Sequence, residues 1–597
     1  RASRRWEATL RAWACSMKTA FDMRNTAPPT LLQRILLCIV LMLAGAGPAG
    51  AQNADADFSG RRIGAVTVDF DGAADPGATY QDAVLRAFAT FPGSRFDPMR
   101  ANLMLNKVRR LNFVKSAEYG VQTGGNGDLV LTLRIVLTDT VTSLPEQPIG
   151  WFADRTWSDF PTLYADGRTV VGAKLENKSM LFTNTNAFFG RPDVLTAGNP
   201  LAENPSGKGT DTWLESSVQA GIYGLSSVTD RVSVFAGASY IYSASWGPEL
   251  FTDQTRYHGS IEDAYVGLIG SNSTASGGNR QMALLYGRKS FQIDSGMILR
   301  LSSANGGERA ALQSNPRNAA DRLMLAQFSY DAHKLELFQL DPDELEPVDS
   351  GTVIDGINYE GQLSSNFRLG AMYLQVPESG FAYYTANDVL SREGLRVADL
   401  RLALDPPAGH PGLYAKGELA RQTHRDFDMD ARAGYAEIGF QFNETTWRPT
   451  PSYRYSYFSG DNPDTAAFER WDPLFAGGAG DEWVQGLNQY KVVQTSNVIA
   501  HRFMARLQPT PRWELTPQFW IFRADDLNNL GGAQALSVLS SKDLGKEVNI
   551  TARYVSSSKL IYVFSAAYTL PGEAIRDALN DDYRNWFSAS ALVIARF

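Results

Sequence analysis

Eight basic residues, Arg368, Arg401, Lys416, Arg454, Arg502, Arg506, Arg553 and Arg596, fall on the polar positions of segments in which apolar and polar residues alternate. Glu215, Asp399, Glu418, Glu437 and Glu547 share that placement. Cationic groups lining the inside of a strand-built wall hold carboxylates or phosphates at weak, multiple sites, which is the chemistry of an anion pathway. The same residues also suit a wall in which Arg and Glu on neighbouring strands pair and stiffen it. Catalysis has no comparable signal. His258, His333, His410, His424 and His501 lie far apart, and no H-E-x-x-H, G-x-S-x-G or phosphate-loop pattern occurs. Neither an enzyme nor a cofactor is expected. The acidic run Asp341-Pro342-Asp343-Glu344-Leu345-Glu346, with Asp461, Asp464 and Asp472, is of a kind that suits Ca²⁺. It reads first as solvated turns, so no metal site is expected either.

The alternation is what positions these side chains. Over 451–458, Tyr453, Tyr455 and Tyr457 share one side while Ser452, Arg454 and Ser456 share the other. Over 412–420, Leu413, Ala415 and Leu419 oppose Tyr414, Lys416 and Glu418, and over 547–553, Val548, Ile550 and Ala552 oppose Glu547, Asn549, Thr551 and Arg553. Some eighteen such segments run from Leu163 to Phe587. Long connectors at 188–211, 302–320, 459–490 and 525–545 fit extracellular loops. Tight turns at Tyr330-Asp331-Ala332-His333, Thr510-Pro511 and Ser556-Ser557-Ser558 fit the opposite side. The last segment, 586–597, has about the eleven residues that a tilted strand needs to cross a bilayer. Its Phe587, Ala589, Ala591, Val593 and Ala595 suit lipid, and the terminal Phe597 makes it resemble the C-terminal signal of bacterial outer-membrane β-barrels. An Arg or Lys facing lipid at mid-depth costs about 2–4 kcal/mol, so the eight cations are assigned inward.

Upstream, 1–51 reads as an over-extended start followed by a secretory signal peptide: Arg24 and Arg34, an apolar run, then Ala49-Gly50-Ala51. Cys15 and Cys38 both precede that site, which leaves no cysteine for a disulfide or metal. The formal charge of −8 becomes about −13 once the seven basic and two acidic residues of 1–51 are removed, which opposes nucleic-acid binding. Residues 61–140 pattern as a small βααββ domain: a strand at 63–70, helical spacing over 80–91 and 97–111, and strands at 114–122 and 129–137. With Gly93-Ser94-Arg95-Phe96-Asp97 opening the second helix, it resembles a POTRA domain, a periplasmic module of outer-membrane assembly and secretion proteins. A linker, 141–150, leads to the expected barrel, 151–597.

Within the barrel, Tyr453-Arg454-Tyr455-Ser456-Tyr457-Phe458-Ser459-Gly460-Asp461 followed by Trp471-Asp472-Pro473-Leu474-Phe475 resembles the alginate-export family of outer-membrane porins. Asp543-Leu544-Gly545-Lys546-Glu547-Val548, Thr551-Ala552-Arg553-Tyr554, Tyr568 and Pro571-Gly572 continue the resemblance in order. It implies a mainly β protein: a monomeric eighteen-stranded antiparallel transmembrane barrel, its lumen rich in Arg and Lys, through which a polymeric uronate or other solute leaves the periplasm. The appended POTRA-like domain departs from the basic family pattern. Three readings follow. The first is an outer-membrane conduit for an anionic polysaccharide or a small anionic solute, with the POTRA-like domain docking a periplasmic protein partner. The second is a POTRA-plus-barrel protein translocase or barrel-assembly factor. Against it, no Arg-Gly-Phe or Arg-Gly-Tyr occurs, Arg432-Ala433-Gly434-Tyr435 being a near miss. The third is a non-conducting structural or enzymatic barrel, its lumen closed by loops such as 459–490. The expected partners are outer-membrane lipid and lipopolysaccharide, the solute, the periplasmic protein, and the barrel-assembly machinery through the last strand. No nucleic acid is expected.

Overall fold

The structure, a computed structural model, describes residues 58–596 apart from 71–80, 138–161, 188–208, 248–253, 274–278, 478–485, 489–494, 530–537 and shorter gaps. The expected signal peptide, the linker 141–150 and Phe597 lie outside the described residues.

Near the N-terminus, β1 (Ile63–Phe70) runs parallel to β3 (Leu129–Leu137), which pairs antiparallel with β2 (Val114–Thr123) in the order β1-β3-β2. Gln81, Val84, Leu85, Ala87 and Phe88 are helical, and α1 (Pro98–Val108) follows. Pro98 opens α1 where a missing N–H leaves nothing unpaired. Leu129, Leu131, Leu133 and Ile135 alternate onto one face of β3. There they bury against Val84, Phe88, Leu105 and Val108, which recur at helical spacing.

A short strand, β4 (Thr162–Ala165), precedes a closed wall of eighteen long antiparallel strands. The first nine wall strands are β5 (Thr169–Thr185), β6 (Thr210–Ser227), β7 (Val232–Trp246), β8 (Arg256–Ser273), β9 (Asn279–Arg288), β10 (Arg322–Tyr330), β11 (His333–Asp341), β12 (Val353–Gln362) and β13 (Phe367–Glu378). A separate hairpin, β14 (Ala382–Tyr384) and β15 (Val389–Ser391), interrupts the connector that follows. The wall resumes with β16 (Leu395–Leu404), β17 (Gly412–His424), β18 (Ala431–Gln441), β19 (Thr450–Phe458), β20 (Val498–Thr510), β21 (Trp513–Arg523), β22 (Asp543–Ser557), β23 (Leu560–Pro571) and β24 (Trp586–Arg596). β24 pairs with β5 from Phe587 opposite Thr185 to Arg596 opposite Glu176, so the sheet has no edge. The expected segment at Leu163 is the short β4, and the wall strand that follows it starts at Thr169.

Alternation sorts the faces as lipid demands. On β17, Leu413 and Leu419 are exposed outward while Glu418 and Gln422 are buried inside. Tyr453, Tyr455 and Tyr457 point outward on β19 and Arg454 points inward. Connections alternate in length over most of the barrel, the six-residue connection 425–430 being shorter than its neighbours 405–411 and 442–449. The turns at 330–333, 510–513 and 557–560 all lie at the end where Arg596 lies, and the long connectors lie at the other, the extracellular end of such barrels. No helix among the described residues is long and apolar enough to cross a membrane; the strands do so.

β22 opens on a bulge, in which Phe522 faces Gly545 while Arg523 faces Asp543. Gly545 has φ 123°, and a Cβ there would lie 2.4 Å from the Leu570 carbonyl oxygen. Only glycine fits. The Gly545→Ala variant is expected to lose about 1–3 kcal/mol of stability. The check is heat-modifiability on an SDS gel, where the folded band should vanish at a lower temperature than in the parent protein.

Candidate functional site: the barrel lumen

The lumen is crossed by two connectors, the first fastened to the wall by two inward-facing glutamates and the second by one. In connector 289–321, the backbone N–H groups of Gln313 and Ser314 donate to the Glu215 carboxylate on β6 (3.0 and 2.7 Å). Those of Asn318 and Ala319 donate to Glu262 Oε1 on β8 (2.6 and 3.0 Å). Arg317 completes the attachment, donating to Ser243 Oγ on β7 at 2.8 Å. In connector 459–497, Leu487 N and Asn488 N donate to the two oxygens of Glu547 on β22 (2.6 and 3.0 Å), and Ser588 Oγ on β24 donates to Asn488 Oδ1 (2.6 Å). The connectors meet through main-chain bonds. Gly477 N donates to Gly296 O at 3.0 Å, and Arg300 N and Leu301 N donate to Phe475 O at 2.8 and 2.9 Å.

Apolar packing holds this crossing in place. Ile293, Met297 and Leu299 from the first connector and Phe468 and Trp471 from the second are buried in one cluster with wall residues such as Phe338, Phe458 and Trp520. The Trp471-Asp472-Pro473-Leu474-Phe475 motif supplies the fastening. Asp472 accepts from Arg392 Nε and Nη2 (2.7 and 3.0 Å) and from the Tyr383 hydroxyl (2.6 Å). Burial alone would lower the pKa of Arg392, but Asp472 beside it holds it above the ordinary guanidinium value. Asp343 is likewise tied, to Arg288 and Arg309 at 2.8 Å each. Asp472 and Asp343 thus serve as clamps, and no cluster of three or more metal-ligating side chains occurs among the described residues.

The crossing borders a cavity of about 770 Å³. Five of the eight cations assigned from sequence line it: Arg368, Arg401, Lys416, Arg454 and Arg506. Lys289 and Lys334 line it too and were missed. Lys334 stands on the inward parity of β11 right after a turn, which was the available signal. The sharpest grouping is a row across four strands. Register sets Lys416 opposite Glu437, Glu437 opposite Arg454, and Arg454 opposite Arg502. Glu437 pairs with Arg502 at 2.7 Å and with Lys416 at 3.6 Å, so one carboxylate bridges two cations of the row. The Arg454 guanidinium lies over the Tyr435 and Trp520 rings, 5.7 and 5.5 Å from their centroids. Arg401 is compensated differently, by Asp399 at 3.0 Å. Arg506 pairs with Glu514 at 3.9 Å and Arg368 with Asp405 at 3.3 Å.

Arg553 and Arg596 stand apart from the cavity. Arg553 faces Glu514 in register, and Arg596 pairs with Glu176 at 3.1 Å across the closing seam. Among the assigned carboxylates, Glu437 and Asp399 act as counter-ions. Glu418 accepts from Ser295 Oγ of the first connector at 3.2 Å, and Glu215 and Glu547 hold loop backbone. The wall opposite the basic row is polar and compensated: Asp263 on β8 accepts from Tyr223, Ser239 and Gln219 within 2.9 Å, with Lys174 at 3.7 Å.

A closed eighteen-stranded wall, apolar outside and polar and charged within, defines an outer-membrane β-barrel through which solutes pass. A family model described as alginate export matches residues 249–588, and the chain belongs to that family, whose barrels are transport channels. Similar solved structures include Pseudomonas aeruginosa OccK7 (OpdD), 12% identical, with 73% of this chain and 99% of that chain covered at a TM-score of 0.40. Pseudomonas aeruginosa OprD is 14% identical over 71% of this chain and 95% of that one, with a TM-score of 0.42. Acinetobacter baumannii OccAB2 is 10% identical over 71% and 98%, with a TM-score of 0.41. No curated protein matches the chain.

If Glu547 holds the second connector, removing its carboxylate should loosen the crossing. Glu547→Ala is expected to raise single-channel conductance and open-state noise in planar bilayers relative to the parent protein, and Glu547→Gln to do so less.

Proposed function

We propose that this protein carries an anionic polysaccharide of the alginate type, or a small anionic solute, across the outer membrane through a basic-leaning lumen, and that it performs no catalysis. The observation that carries the reading is the row Lys416, Glu437, Arg454 and Arg502, which brings three cations onto neighbouring strands beside the cavity in a chain whose net charge is negative. Such a row lowers the entry barrier for carboxylates, and several weak sites in succession allow release. Membership of a family described as alginate export supports a uronate as the solute.

The segment 61–140 is proposed as a POTRA-like periplasmic domain that docks a protein partner. Among the described residues β2 pairs only with β3, so its other edge is free to accept a strand. Asp97 accepts a hydrogen bond from Arg512 Nε (2.6 Å) in the turn between β20 and β21, at the short-turn end. Protein translocation is the runner-up reading, and this domain is what favours it.

Purified protein in planar bilayers under a salt gradient should show an anion-selective reversal potential, and the Lys416→Gln, Arg454→Gln, Arg502→Gln triple variant should shift it toward cations. Oligouronate should block the parent channel at lower concentration than a neutral oligosaccharide of equal length. An unshifted reversal potential would end the anion-pathway reading and leave the barrel untouched. Deleting 61–140 should leave conductance intact; loss of conductance, with polypeptide moved by the full-length protein, would favour the translocase.

A further inference from the structure

Residues 61–140 hold ten Lys and Arg against eight Asp and Glu, whereas 151–597 hold 39 against 51, so a basic domain is appended to an acidic barrel. Some of those cations serve the domain's own fold. Arg134 stands on the exposed face of the sheet in register between Asp69 on β1 and Glu118 on β2, and Arg109 Nε donates to the Ala117 carbonyl at 2.9 Å. Three arginines differ, and they gather where residues 60–62 run alongside 95–97. Phe96 N donates to Arg61 O and Gly60 N to Phe96 O, both at 2.8 Å, and Arg62 forms an antiparallel bridge with Arg95. Residues so opposed have Cα atoms about 4.5–5.5 Å apart and project to one face.

No acid is spent on these guanidiniums. Arg61 Nη2 donates to Gly127 O at 2.9 Å and Arg95 Nη1 to Gly60 O at 2.8 Å, both neutral carbonyls. Arg62 is exposed and donates no side-chain hydrogen bond, and none of the three enters an ion pair among the described residues. Two described carboxylates stand near them. Asp128 lies against Gly64, two positions along from Arg62, and Asp97 is taken by Arg512 at 2.6 Å. With Arg512 counted, four guanidiniums share this neighbourhood with those two carboxylates.

The cluster sits beside the mouth of the barrel. Arg95 and Asp97 flank the buried Phe96 and so project away from the domain's core. Asp97 reaches Arg512 in the turn between β20 and β21, and Arg512 Nη1 reaches Ser556 O at the next short turn (3.4 Å). Two residues on from Arg512, Glu514 faces Arg553 in register and lies 3.9 Å from Arg506, which lines the lumen cavity. Cations therefore succeed one another from the domain into the cavity.

Guanidiniums remain charged at physiological pH and take carboxylates through paired N–H bonds. A polymer with a carboxylate on every sugar engages several of them at once, and each contact raises the local concentration of the next carboxylate. We infer that the barrel-facing end of the domain is an entry site for the polycarboxylate that the lumen conducts: Arg62 and Arg95 take its carboxylates, Arg61 adds its charge beside them, and the chain passes on to Arg553 and Arg506 inside the mouth. The inference rests on the anionic-solute reading of the lumen. It gives 61–140 a ligand of its own on the β1 side of the sheet, opposite the free edge of β2.

The test is binding of a fluorescently labelled oligouronate to the purified full-length protein in nonionic detergent, read by anisotropy. The parent protein is compared with Arg62→Glu, with the Lys416→Gln, Arg454→Gln, Arg502→Gln lumen variant, and with the two combined. Arg62→Glu removes no side-chain hydrogen bond from the fold. Resistance of 61–140 to limited proteolysis and heat-modifiability of the barrel establish that each variant is folded. Arg62→Glu is expected to weaken binding about tenfold or more, both in the parent and in the lumen variant, as loss of charge-assisted bonds implies. The Arg61→Gln, Arg62→Gln, Arg95→Gln variant should weaken it at least as far, and a neutral oligosaccharide of equal length should not compete. Undiminished binding by folded Arg62→Glu would overturn the inference. So would loss of binding in the lumen variant with no further loss on adding Arg62→Glu, equal competition by the neutral oligosaccharide, or a parent protein that binds no oligouronate. The lumen reading is judged separately, by the reversal potential, so the two can fail independently.

Discussion

Every backbone N–H and C=O within the hydrocarbon must find a partner, and a sheet can meet that demand only by closing on itself. Here the demand falls on ten register pairs between the last strand and the first long one, from Phe587 opposite Thr185 to Arg596 opposite Glu176. With the seam closed, the face of each residue is fixed by parity alone, because a slip of one position would turn Lys416, Arg454 and Glu547 to the lipid together. The even strand number brings both ends of the wall to the same side. Short and long connections then fall on opposite ends, and the loops that fill the lumen all enter from one mouth.

Inside that wall the same chemistry does two kinds of work. A carboxylate facing a neighbouring guanidinium makes an ion pair, as Glu437 does with Arg502; one facing loop backbone makes charge-assisted bonds to amides, as Glu215, Glu262 and Glu547 do. The second use withdraws acid from the side-chain balance without consuming any base. In a chain with more Asp and Glu than Lys and Arg, it leaves cations such as Lys416, Arg454 and Arg502 to gather on neighbouring strands about Glu437.

The wall was legible because its period is two and lipid enforces it on nearly every strand. The inward placement of Arg401, Lys416, Arg454 and Arg502 needed only their parity relative to Leu402, Ala415, Tyr455 and Phe503. The loop anchors were not legible. Glu215 and Glu547 have partners that are backbone amides about 100 and 60 residues away in sequence, and an amide carries no residue type to recognise. Nor could periodicity report that Met297, Phe468 and Trp471 form a buried cluster inside a barrel, since connectors have no period. The compact motif Trp471-Asp472-Pro473-Leu474-Phe475 was visible as a string; its job, clamping Arg392 and receiving the other loop, is a matter of packing.

The meeting of the two connectors has a particular grammar. Gly477 N to Gly296 O, and Arg300 N and Leu301 N to Phe475 O, are bonds between main-chain atoms only. Side-chain replacement at Arg300, Leu301 or Phe475 leaves donor and acceptor where they were, so an alanine scan would pass over the strut that spans the pore. Removing it takes a change to the chain itself, an ester in place of an amide at Arg300 or Leu301, or a proline, which has no hydrogen to offer.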